Sequence, residues 1–160
     1  MHDAIPADEL PKLHKYFAVE CNNRAWRLAE SARRSPEDDR EMLDAAHAAA
    51  FHWSRIGTEL NSARAQMLLA HVHALRGHGE IAMKYACAAF DFVASRASPA
   101  WELAFAHAVL ANAAAAMRDP ALHGAHYREA KVLGAALDEG DRAVFEATFR
   151  SVPVPAEALS

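Results

Sequence analysis

Alanine occupies 39 of the 160 positions, whereas valine, isoleucine and threonine together occupy 13. Strands draw on β-branched residues that pack on a pleated surface, and alanine is the strongest helix former. A sheet-based fold is thereby disfavoured, and the chain reads as all-α. Its length suits one domain. The charge balance, 17 Lys and Arg against 21 Asp and Glu for a formal net charge of −4, offers no general attraction for nucleic acid or an anionic membrane.

Helix boundaries are written in capping residues and prolines. Ser35-Pro36, Ser98-Pro99 and Asp119-Pro120 each pair a side chain able to accept an orphan N–H with a proline that loses no intrahelical bond. Gly57, Gly77 and Gly79 mark stops, and Pro153 and Pro155 close the last helix. The spacing predicts seven helices, over about residues 11–34, 36–55, 61–76, 80–95, 99–118, 120–137 and 141–151. Short loops between them imply antiparallel neighbours. Residues 1–152 form the expected single domain and 153–160 a loose C-terminal tail.

Leu28-Ala29, Leu69-Ala70 and Leu110-Ala111 recur at a step of 41 residues in the first helix of successive pairs, and Ala48, Ala89 and Ala130 recur in the second. Small residues at a fixed place let two helices approach closely, with leucine filling the seam. The middle pair, Leu69-Ala70…Gly77…Ala82…Ala89, resembles the tetratricopeptide repeat. The third pair carries His123 and the first Glu41 where that repeat places a small residue. The resemblance implies a right-handed stack of about three antiparallel helix pairs over residues 20–137, with residues 141–151 as the capping helix. The string Ala46-His47-Ala48…His52-Trp53…Gly57…Asn61…Ala63-Arg64 is similar to one in small uncharacterised prokaryotic tetratricopeptide-like proteins, and implies no activity.

Cys21 and Cys87 form no C-x-x-C pattern, and Met1–Pro6 lack a signal-peptide pattern. The apolar run 103–117 reads as a buried helix, so the expectation is a cytoplasmic protein that does not enter a membrane. Among the ten histidines, His123 and His126 share a helix face, but no H-E-x-x-H or Cys/His cluster accompanies them. Neither metal nor cofactor is expected. Arg40…His47 and Arg64…His71 resemble the Arg/His motif of the helical HEPN ribonucleases, which implies metal-independent RNA cleavage as the alternative activity. With Arg118…His123 at a shorter step there are three such spacings, no more than thirteen arginines and ten histidines produce by chance.

The first helices of a curved stack line its concave side. On the 41-residue grid three columns face that groove: Asn23, Arg64 and Phe105; Trp26, Met67 and Ala108; and Glu30, His71 and Asn112. The last column is polar throughout. Burying its members without partners would cost about 1–3 kcal/mol each, so they are expected to face water, one another or a ligand. Trp53 and Asn61 join the candidates because a half-exposed ring near Gly57 has Asn61 and Arg64 close in sequence; Asn61 also reads as an N-cap. The expected function is non-catalytic: capture of a protein segment or a small polar ligand, with Arg64 against a ligand carboxylate. A homodimer is expected because the end faces of a short stack need covering.

Overall fold

A computed structural model describes residues 6–156, so the N-terminal segment and the end of the tail lie outside the described residues. Among the described residues there are seven helices: α1 (Leu10–Ala29), α2 (Pro36–Ile56), α3 (Glu59–Leu75), α4 (Gly79–Ala94), α5 (Ala100–Met117), α6 (Pro120–Ala135) and α7 (Glu139–Phe149). They pack sequentially as antiparallel neighbours, and α7 lies against α5 and α6. The first helices of the pairs also meet one another, α1 on α3 and α3 on α5.

The capping code is largely realised. Ser35 and Asp38 form a reciprocal capping box at α2, and Asp119 Oδ1 accepts from Leu122 N–H at α6. Gly77, at φ +74°, ends the α3 turn in the left-handed region. Two assignments change. Asn61 is the third residue of α3, where it completes a capping box with Thr58, rather than the N-cap. Ser98 donates back to Val93 O, so that it finishes α4 instead of starting α5. Helix α1 stops at Ala29, short of residue 34, because the Arg34 guanidinium turns back onto the carbonyls of Ala29 and Ser31.

Most of α5 and the second half of α3, Met67–Ala74, are buried on nearly all sides and form the interior. Helix α5 is long and apolar enough to cross a membrane, yet its residues from Ala104 to Ala106 and Ala108 to Ala114 are buried inside the bundle. Alanines at the seams, among them Ala70, Ala89 and Ala130, are wholly buried and keep neighbouring helices close. Gly134 serves the same end where α6 meets α7: a Cβ there would fall on the Phe145 ring, itself 2% exposed. The described part of the tail, up to residue 156, is docked rather than loose. Val152 is buried, and Pro153 O accepts a 2.7 Å hydrogen bond from His123 Nε2.

Gly134→Ala therefore pits two effects against each other. Helix propensity favours alanine by about 1 kcal/mol, while overpacking a fixed ring costs about 1–3 kcal/mol. The expected result is a lower urea midpoint; an unchanged or raised one would show that α7 docks with room to spare.

Candidate functional site

Four helices present stripes of side chains to a shared opening. Helix α1 contributes Asn22 and Trp26 and its C-cap Glu30, α3 contributes Arg64 and Met67, α5 contributes Trp101 and Phe105, and α7 contributes Asp141, Val144 and Thr148. Each set follows steps of three, four or seven residues, which a helix places on one face. They line a cavity of about 550 Å³, within the size range of small-molecule sites. Its walls are chiefly apolar and include three aromatic rings. Phe105 stands edge-on to Trp26 (centroids 6.2 Å apart) and to Trp101 (5.9 Å).

Arg64 crosses one side of this opening and is already matched. Its Nε and Nη2 reach Glu102 Oε1 at 2.7 and 2.5 Å, and its guanidinium lies 5.0 Å from the Trp101 ring centroid. Glu102 is 1% exposed in the first turn of α5, where the helix dipole also favours negative charge. The ring orients the guanidinium and the carboxylate neutralises it. Arg64 is thus first a counter-ion to the protein's own carboxylate, not the open anion seat expected from sequence.

The polar column finds its partners inside the chain. Asn112 Nδ2 donates to His71 Nδ1 at 3.0 Å, across the 41-residue register. That leaves His71 Nε2–H to donate to Ser151 Oγ at 2.9 Å, while the Ser151 hydroxyl donates to Thr148 O at 2.6 Å. Thr148 Oγ1 in turn donates to Glu30 Oε1 at 2.9 Å. Of the three possibilities for Glu30, His71 and Asn112, water is not the one met by the last two: both are buried and bound to each other, and α7 with the segment after it supplies the remaining bonds. The C-terminal helix thus occupies part of the face that the sequence reading offered to a partner, and the cavity is the part it leaves open.

The remaining candidates disperse. Asn23 is exposed beside Asn22, and Met67 is 3% exposed in the cavity wall. Trp53 is half-buried at the end of α2 and Asn61 is spent on its capping box, so the two form no site with Arg64. The Arg/His pairs are also diverted. His71 is wholly buried, out of reach of an RNA phosphate, and His47 Nε2 is hydrogen-bonded to His73 Nε2 at 3.0 Å. His126 pairs with His107 rather than with His123. Among the described residues no group of three His, Cys, Asp or Glu side chains is arranged to hold a metal.

Trp101, Asp141, Val144, Thr148 and Glu102 escaped the sequence reading. Trp101 precedes Phe105 by four residues, so the α5 stripe was available to find it. The α7 residues had no such signal, since nothing in the repeat places a capping helix on this face. Fold and cavity together define an all-α protein of sequential helix pairs with a ligand-sized opening under its last helix. Compared with known proteins, the chain matches no family model, no curated protein and no solved structure.

Removing Arg64 would strand the buried Glu102 carboxylate. Arg64→Ala is expected to cost about 3 kcal/mol, the lower end of the range for breaking a buried pair because Arg64 itself is 41% exposed. Adding Glu102→Gln should recover part of that loss. Urea unfolding of the two variants checks this, and a double variant no more stable than Arg64→Ala would refute it.

Burial, with the Arg34 charge second, lowers the His71 pKa to about 4; burial, then the neighbouring His47 and His78, lowers that of His73 to about 4. Both are neutral in the folded protein and titrate near 6.5 once unfolded. As pH falls, the unfolded chain takes up protons first. Their contribution is complete above pH 6.5, drains away towards pH 4 and changes little below. For His71 it amounts to about 3 kcal/mol. Unfolding free energies measured between pH 7 and 4.5 should fall less steeply in His71→Asn than in the parent; equal slopes would contradict the assignment.

Proposed function

We propose that the protein is a non-catalytic binding module that holds a small ligand, or the tip of a protein segment, in the cavity beneath α7. The observation that carries this reading is the cavity itself: about 550 Å³ walled by Trp26, Met67, Trp101 and Phe105, with hydrogen-bonding groups at its edge. Apolar walls supply affinity and a few fixed polar groups supply orientation. A small ligand suits the opening better than an extended peptide, because α7 and Ser151 already engage the neighbouring Glu30 and His71.

Within the same reading, the three helix pairs are a tetratricopeptide-like array with a 41-residue step, supported by the Asn112–His71 bond between equivalent positions. A reduced, cytoplasmic setting is supported by the free thiols of Cys21 and Cys87. A homodimer is part of the proposal. Its support is the patch of Tyr16, Phe17 and Phe51, 60%, 44% and 57% exposed, on the first helix pair.

Val144 is 62% exposed at the mouth of the cavity, so Val144→Trp should plug it without disturbing the core. Ligand-observed NMR with a small-fragment library is expected to yield hits on the parent that Val144→Trp loses, while its helical signal is retained. Light scattering on the same samples should give twice the chain mass. Fragments that bind both proteins equally would move the site elsewhere.

A further inference from the structure

Taking the cavity as the ligand seat proposed above, we infer that its occupant is a small amphipathic cation: an ammonium group carried on an apolar or aromatic body. The charges at the cavity decide the sign. Arg64 contributes one positive charge, and Glu102 cancels it at 2.5–2.7 Å. Glu30 and Asp141 then remain at the wall, with no lysine and no second arginine beside them in the lining.

A ligand carboxylate gains little here. Drawing Arg64 away would leave Glu102, 1% exposed, without a counter-charge, and such a step is strongly unfavourable. Approaching Arg64 without displacing it brings the ligand's negative charge towards two further carboxylates. A cation meets the opposite balance. Thr148 Oγ1 holds Glu30 Oε1 at 2.9 Å, which fixes the carboxylate at the wall while Oε2 makes no hydrogen bond to the described residues. The Trp26 ring, half-buried in the cavity lining and packed against His71 at 5.5 Å, adds a quadrupole that attracts a cation, while Met67 and the buried Phe105 offer its hydrocarbon body apolar contact. Trp101 is less available, since Arg64 already covers it.

The test uses three probes of one shape on the intact protein, titrated calorimetrically: 2-phenylethylammonium, neutral 2-phenylethanol and anionic 3-phenylpropionate. The ammonium should bind about tenfold more tightly than the alcohol, and the carboxylate more weakly than either. Binding of the ammonium should weaken with added salt and disappear in Val144→Trp. Glu30→Gln keeps an oxygen to accept from Thr148, so the fold should survive. That variant should weaken the ammonium about fivefold and leave the alcohol unchanged. If alcohol and ammonium bind equally and Val144→Trp blocks both, the cation inference is overturned while the cavity remains the seat. Preferential binding of phenylpropionate overturns it in favour of Arg64 as an anion site. Absence of binding by all three at millimolar concentration also overturns it, and the fragment screen then judges the cavity reading separately.

Discussion

Two interior helices, α3 and α5, can be surrounded only if their neighbours come close, and alanine is what permits that approach. Ala70, Ala89, Ala104, Ala111 and Ala130 are all essentially inaccessible to solvent. An alanine seam brings little apolar area per residue, so the bundle depends on many close contacts rather than a few large anchors. Larger side chains, Phe105, Phe145 and Phe149 among them, gather where α5 meets α7. There α7, the helix left over from the three pairs, packs against α5 and α6.

The interior helices also carry polar groups that close packing cannot leave alone. His71 and Asn112 answer each other, but an imidazole has a second nitrogen and requires a second partner. Ser151 provides it from just beyond α7, and Thr148 reaches Glu30 from within that helix. The capping helix therefore does more than cover an apolar end. It completes a hydrogen-bond chain from α5 through α3 to the C-terminal segment, and from there to α1. The buried Glu102 follows the same logic, with Arg64 and the Trp101 ring as its environment.

These arrangements shape the opening that remains. Its aromatic rings come from α1 and α5, its charges from residues on three different helices, and its outer lip from Val144 and Asp141 on α7. Because Arg64 is neutralised within the fold, the character of the site is set by Glu30 and Asp141. A residue list containing one arginine and two carboxylates does not reveal that; the pairing of the arginine does.

The number of helices, their order and most of their limits were legible in the sequence, because caps, prolines and helix propensity act over a few residues and need no distant partner. The 41-residue spacing put His71 and Asn112 in one column, and the two are hydrogen-bonded; of the other two columns Trp26, Arg64, Met67 and Phe105 line the opening, while Asn23 and Ala108 do not. Distant contacts were not legible. That Arg64 would turn to Glu102 rather than stay open, that Trp53 and Asn61 would stand apart, and that α7 would lie across the groove instead of beyond it all depend on side chains meeting from different helices. Local spacing determines which face of a helix a residue occupies. Only the packing of seven helices decides what that face meets.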